Sequence, residues 1–304
     1  MAEVRSSEPP PPAGRVRMVL DTDTYNEIDD QFALVHVMLS PAEVDLQAVY
    51  AAPFLNNRSS SAGDGMEKSH EEILRLFGLL GREPEGMVFR GSDRFMDSPR
   101  DIVQSPAVEH MLSLLAEGDE PLYVVAIGAP TNVSSVLLAA RERNLDIGDR
   151  MRVVWLGGQP PHRTNAREFN LMQDPIASRL LLQLSPSLTL FPCWGVASHL
   201  LTTVPELERH LAPLGPVGAF LTDRFAAYSN DHYAWAKEVW DLAATAYVIN
   251  PDWTRSRLAA TPDLDTATLD WVPQPDGPPL REAVMVDRNA IFRDLFEKVA
   301  AFHG

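Results

Sequence analysis

Short apolar runs alternate with longer stretches of helical spacing from Val16 to Leu156, and this alternation narrows the fold more than any other feature of the chain. The runs at 16–20, 44–52, 87–89, 122–127 and 153–156 read as strands. Between them, 29–39 carries Phe32, Leu34, Val35, Met38 and Leu39 at helical spacing, and 66–80 and 108–116 are also expected to be helical. A further helix places Val133, Val136, Leu137 and Ala140 on one face. Strands separated by helices pair in parallel, because a tight turn cannot return the chain to the start of a parallel neighbour. The expected class is α/β: an open, mostly parallel, Rossmann-like sheet with helices on both faces.

Beyond Asn170 the alternation loosens. A helix is expected over 174–184, a strand over 187–191, and helices over 217–227 and 243–249. Residues 251–279, rich in Pro and Asp, are expected to be irregular with one short strand, before a last strand at 283–286 and a helix at 289–301. With no internal repeat and no strong linker, 16–304 reads as a single domain. The polar segment 1–15, with its run Pro9 to Pro12, reads as a disordered lead.

The formal net charge of −16 argues against nucleic acid or an anionic membrane surface as partner, since both recruit Lys and Arg. It suits a small neutral or cationic substrate, or one met through a bound cation. Cys193 is the only cysteine, so no internal disulfide can form. The first residues lack the apolar stretch of a secretory signal, and no apolar run approaches the roughly 18–20 residues of a membrane span. A cytoplasmic location is expected.

Four polar clusters fall where strand ends meet loops, the usual place for a site in such sheets. Asp21, Asp23, Asp29 and Asp30 repel one another unless a cation sits among them; the plain alternative is a solvated turn with Asp29 as helix cap. Gly128-Ala129-Pro130-Thr131-Asn132 can be a simple helix start. Glu168-Phe169-Asn170, followed by Asp174-Pro175, can be a loop and a cap, and so can Trp240-Asp241 before an apolar helix.

Taken together, in this order, the clusters resemble the inosine-uridine-preferring nucleoside hydrolase family. That family has a strand ending in Asp-x-Asp followed by Asp-Asp, a Pro/Leu-Thr-Asn turn, a Gly-Gly strand end, Glu-Phe-Asn, and a late Asp before a helix. The matching residues are Asp21-Thr22-Asp23 with Asp29-Asp30, Thr131-Asn132, Gly157-Gly158, Glu168-Phe169-Asn170 and Asp241, in a resemblance that spans Val16 to Ala301. It implies the nucleoside hydrolase fold and Ca²⁺-dependent hydrolysis of the N-glycosidic bond of a ribonucleoside or related riboside, releasing base and ribose. By the same resemblance, Asp23, Asp30 and Asp241 would hold Ca²⁺ through carboxylates and Thr131 through its main-chain carbonyl. The ion would also take the ribose 2′ and 3′ hydroxyls and the attacking water, whose proton Asp23 would accept. Asp29, Asn170 and Glu168 would bind the ribose hydroxyls, with help from Asn56 or Asn57. A homo-oligomer, dimer or tetramer, is implied too.

Two departures stand out. Thr24-Tyr25-Asn26-Glu27-Ile28 replaces the family's Pro-Gly-x, which makes the first loop two residues longer and adds Glu27 or Tyr25 near the site. Trp240 stands where many members carry a His proposed to protonate the leaving base; it resembles the purine-preferring branch, in which an indole stacks on the base. His232 is an alternative acid or an exposed loop histidine, and His199 a site wall or plain loop. A haloacid dehalogenase-like phosphatase would need Thr or Val at Tyr25, and a calcium EF-hand fails at Tyr25, Asn26 and Phe32. The remaining alternatives are an inactive riboside- or sugar-binding protein of the same fold and a hydrolase of a non-nucleoside riboside.

Overall fold

The computed structural model describes residues 8–118 and 120–304. The first half runs β1 (Val16–Thr22), α1 (Asp30–Met38), β2 (Val44–Ala51), α2 (Ala62–Leu79), β3 (Val88–Arg90), α3 (Pro106–Glu117), β4 (Leu122–Ala126), α4 (Thr131–Glu142) and β5 (Met151–Leu156). Next come α5 (Phe169–Gln173), α6 (Pro175–Leu184), β6 (Leu188–Phe191), β7 (Leu201–Thr202), α7 (Val204–His210), α8 (Gly215–Ala226) and β8 (Lys237–Glu238). The chain closes with α9 (Leu242–Ile249), β9 (Thr254–Ala260), β10 (Asp263–Asp265), β11 (Asp270–Val272), β12 (Pro279–Val286) and α10 (Arg288–His303).

Eight strands form the main sheet in the order β3-β2-β1-β4-β5-β6-β12-β9. All neighbours pair in parallel except β12 with β9. The expected open, mostly parallel α/β sheet is what forms. Its central strands are apolar on both faces, as sheets covered on both sides must be. Along β4, Tyr123 and Val125 enter one apolar layer while Leu122, Val124 and Ala126 enter the other, following the two-residue period of a strand. Helices α1, α2, α8, α9 and α10 contribute to the first layer, and α3 and α4 to the second.

From β1 the chain steps outward to β2 and β3 and then crosses back to β4 on the other side of β1, so the strand order reverses between β1 and β4. Ligands collect in the crevice beyond the C-terminal ends of strands at such a reversal. The segments that follow β1, β4 and β5 bring the acidic loop, Thr131-Asn132 at the start of α4, and Gly157-Gly158 to this end of the sheet.

Two sequence expectations need correction. Residues 251–279 hold β9, β10 and β11 rather than one short strand. Strand β9 is an edge with exposed positions and Arg255 and Arg257, so it lacks the apolar signature of a central strand. Helix α2 starts at Ala62, before the expected 66, with Ser61 accepting from the Asp64 amide. Its first turn contains Gly63 and Gly65, which read as loop residues in sequence. Gly65 is needed there for contact, since a Cβ would lie 2.0 Å from the Phe54 carbonyl oxygen. The short helices α5 and α7 carry too few residues to show a period.

Of the expected disordered lead, residues 1–7 lie outside the described residues. Residues 8–15 have no regular secondary structure, Pro9 and Pro12 are buried, and Arg281 Nε donates to the Pro9 carbonyl at 2.7 Å. No helix among the described residues is long and apolar enough to cross a membrane.

Candidate active site

Two helices buried along their whole length bring the site together. Every residue of α1 and of α9 is buried, and the two pack against each other. Helices enclosed on all sides belong in a core, and here their N-termini meet. The residue before α1 is Asp29 and the residue before α9 is Asp241. An acid at this position normally accepts an amide hydrogen bond from its own first turn. Asp174 does so for α6 and Asp287 for α10, whereas neither Asp29 nor Asp241 caps its helix. Instead, one carboxylate oxygen each from Asp29, Asp30 and Asp241 lies within 4.8 Å of the others. The Asp241 amide donates to Asp29 Oδ2 at 3.4 Å. The helix-cap explanation for these acids therefore fails.

Asp23 lies outside that closest trio but against the same cluster. A Cβ on Gly128 would sit 3.1 Å from its carboxyl, which places Asp23 beside the end of β4. Both of its oxygens are buried without a hydrogen-bond partner, as is Asp21 Oδ2. Asp21 Oδ1 accepts from Asn132 Nδ2 at 2.7 Å, and Asp30 Oδ1 accepts from the Thr22 hydroxyl.

Burial dominates the electrostatics of this group, because carboxylates lose their hydration. It pushes Asp29 up to about 8, with the Glu27 charge adding to the shift. Asp21 is pushed up to about 7 against the bond from Asn132. Asp30 reaches about 6, held back by bonds from Thr22 and Asp241. Asp23 and Asp241 rise for the same reason, with neighbouring aspartates next in importance. Crowded, orphaned, oxygen-only donors of one sign are the set a hard divalent cation satisfies. The residues fit such an ion.

Beyond the cluster lies a cavity of about 650 Å³. Asp29, Asp241, Asn57, Glu168, Asn170 and Trp240 all border it. Asn170 Nδ2 is pinned to the carbonyls of Ile127 and Leu156, each at 3.0 Å, so its orientation is fixed. Glu168 caps α5 and accepts amides from Gly158, Asn170 and Leu171, which occupy three of its roughly four lone-pair directions. Gly158 makes this possible: its φ is +69°, and a Cβ would crowd Trp271 at 2.8 Å.

Thr131 is buried at the start of α4, does not border the cavity, and gives its hydroxyl to Asp174 Oδ2 at 2.9 Å. The side chain is thereby committed, and only its main-chain carbonyl is left to serve as a ligand. His199 and His232 do not border the cavity either; His232 Nε2 lies 2.9 Å from the Ala226 carbonyl.

The longer first loop has a partner invisible in the sequence. Glu27 Oε2 pairs with Lys237 Nζ at 2.7 Å, and Glu27 Oε1 accepts from the Tyr228 hydroxyl at 2.8 Å. Lys237 is nearly fully buried and its ammonium lies 4.5 Å from the centre of the Tyr228 ring. Burial pulls its pKa down, but Asp29 and Glu27 outweigh that and hold it raised. Tyr25 does not border the cavity; its ring lies under the Arg224 guanidinium, 5.0 Å from the ring centre. Lys237→Met would strand Glu27, which keeps some solvent contact. We expect a loss of about 1–3 kcal/mol in urea unfolding, with Glu27→Gln restoring part of it. An unchanged unfolding midpoint would remove the pair from the fold's support.

Several cavity residues gave no sequence signal. Arg58, Gln159, Trp194 and Tyr228 border it from loops without periodicity or motif. Cys193 borders it as well, its thiol pushed up by burial and by the charges of Glu168 and Asp241. Only the adjacency of Arg58 to Asn57, of Gln159 to Gly157-Gly158, and of Trp194 to Cys193 marked their neighbourhood.

A family model described as inosine-uridine preferring nucleoside hydrolase matches residues 18–292. Among curated relatives, the non-specific ribonucleoside hydrolase RihC of Salmonella schwarzengrund is 24% identical over 79% of this chain and 80% of its own. The pyrimidine-specific ribonucleoside hydrolase RihA of Klebsiella pneumoniae is 28% identical over 77% and 80%. Among solved structures, a purine-preferring ribonucleoside hydrolase from Gardnerella vaginalis superposes with a TM-score of 0.72 at 20% identity, covering 94% of this chain and 99% of that one.

Proposed function

This chain belongs to the inosine-uridine preferring nucleoside hydrolase family, and on that premise we propose that it hydrolyses the N-glycosidic bond of a ribonucleoside or related riboside with the aid of bound Ca²⁺. Membership makes it an N-glycosyl hydrolase. The observation that carries the finer reading is the meeting of Asp29, Asp30 and Asp241 at two helix starts that they do not cap.

Asp23, Asp30 and Asp241 would hold the cation through carboxylates, and Thr131 would add its main-chain carbonyl. Asp29, whose oxygen lies within 4.8 Å of Asp30 and Asp241, is close enough to share that duty while facing the sugar. When bound, the ion polarises oxygen ligands and lowers the pKa of water.

The remaining work falls to the chain. Breaking an N-riboside develops positive charge on the sugar, and the anionic wall of Asp29, Asp241 and Glu168 favours that charge as it forms. Asp23, whose two oxygens have no hydrogen-bond partner in the fold, accepts the proton of the water whose oxygen bonds to the anomeric carbon as the bond to the base breaks; the base departs with that bond's electron pair and takes its proton from solvent. Asn170, locked by two carbonyls, presents its amide oxygen to a ribose hydroxyl, and Asn57 and Glu168 approach the same sugar. Gripping hydroxyls lets binding at a distance lower the barrier at the reacting carbon. Trp240 offers its indole face to the base but no proton at neutral pH.

The test is release of free ribose from a panel of purine, pyrimidine and unusual ribosides. Cleavage should require calcium and stop on chelation, and the preference between purines and pyrimidines reads the stacking role of Trp240. No ribose from any riboside, or binding by calorimetry without turnover, would overturn the reading.

A further inference from the structure

We propose that Arg58 selects substrates carrying an oxyanion, so that the preferred substrate is an anionic riboside. The oxyanion is either a carboxylate on the leaving base or a phosphate on the sugar. The inference rests on the hydrolase reading above and goes further, to substrate class. Among the described residues that border the cavity, Arg58 is the one with a cationic side chain, against Glu27, Asp29, Glu168 and Asp241.

Arg58 forms no ion pair with these acids. Its Nη1 reaches the Glu27 main-chain carbonyl at a long 3.4 Å, and its guanidinium lies 6.0 Å from the centre of the Tyr228 ring. Glu27, the nearby carboxylate that would ordinarily neutralise it, is engaged on both oxygens by Tyr228 and Lys237. The main chain of Arg58 is fixed on both sides: its amide donates to Asn56 Oδ1 at 2.8 Å and its carbonyl accepts from Lys68 Nζ at 2.7 Å. An anchored backbone therefore offers the cavity a guanidinium with most of its five donors unused.

Position suits the role. Asp29 and Asp241 are 3% exposed at the cavity floor, whereas Tyr228, beside Arg58, is 42% exposed. Arg58 thus stands toward the mouth, away from the carboxylates that would face the reacting sugar. A planar guanidinium takes a carboxylate or phosphate through two parallel N–H bonds, a match that a neutral hydroxyl or ring carbonyl cannot give. Lys237 neutralises Glu27, which keeps that acid from repelling the incoming anion.

The calcium-loaded protein should be assayed with uridine, orotidine and uridine 5′-monophosphate, with inosine and inosine 5′-monophosphate beside them. Orotidine places the charge on the base, and the monophosphates place it on the sugar. One anionic substrate should exceed its neutral parent in kcat/KM by about 10- to 100-fold. Arg58→Gln should erase that ratio mainly through KM, and Arg58→Lys should keep part of it, which guards against a folding defect. The preferred anion identifies the source of the oxyanion. If neutral ribosides are cleaved and neither anion exceeds them, or if Arg58→Gln leaves the ratio intact, the assignment to Arg58 falls while the hydrolase reading stands. Failure to cleave any riboside removes both.

Discussion

Asp241→Asn should abolish calcium binding and lower kcat/KM for riboside cleavage by about 10²- to 10³-fold or more, while raising the melting temperature of the calcium-free protein. The two effects share one cause. The Asp241 carboxylate lies with those of Asp29 and Asp30 in a buried space where the nearby ammonium of Lys237 is already paired with Glu27. Without the cation, removing one negative charge relieves repulsion and desolvation together. With it, the same change removes a ligand and part of the wall that stabilises charge on the sugar. Function and stability therefore pull in opposite directions at this residue. Calorimetric titration with calcium, ribose release, and melting in chelator measure the three quantities separately. Retained turnover with unaltered calcium binding would exclude Asp241 from the ion's ligands.

Calcium-free protein should lose stability as pH rises, the reverse of a chain held together by exposed salt bridges. Asp29 is pushed up to about 8, Asp21 to about 7 and Asp30 to about 6, in each case chiefly by burial. Unfolded aspartates release their protons near 3.9. Between that value and the raised ones, the folded chain holds protons that the unfolded chain has lost, so stability falls with pH. The contribution from these groups is complete below about pH 4, falls as pH rises above that, and is lost once pH has passed the raised values of about 6 to 8. In excess chelator the melting temperature should drop by several degrees between about pH 5 and 8.5. Saturating calcium should flatten or reverse the slope, because the ion takes the place of the protons. A melting temperature that climbs with pH in chelator would show that these carboxylates ionise freely in the fold.

The sheet was legible because its signal is local. Each buried parallel strand must be apolar on both faces, and each crossover helix must carry a stripe, so the order of elements over 16–156 could be parsed, with the start of α2 as the exception. Strand β9 was missed where that logic fails, since an edge strand with arginines shows no inward face. The candidate site was legible as an order of acids and amides, Asp23, Asp29 and Asp30 early, Glu168 and Asn170 midway, Asp241 late. What remained ambiguous was whether each acid capped a helix. Glu168 and Asp174 do cap, and Asp29 and Asp241 do not.

Sequence alone therefore determined the alternation of elements and the polar residues that sit at strand ends. Only the tertiary structure decided which of those residues meet. Asp29 and Asp241 are 212 positions apart and touch because α1 and α9, both buried along their whole length, pack against each other. Glu27 and Lys237 are 210 apart and pair for the same reason. Periodicity reports how one segment faces its core; it carries no information on which distant segment fills the other side, and the charges of this site acquire their partners there.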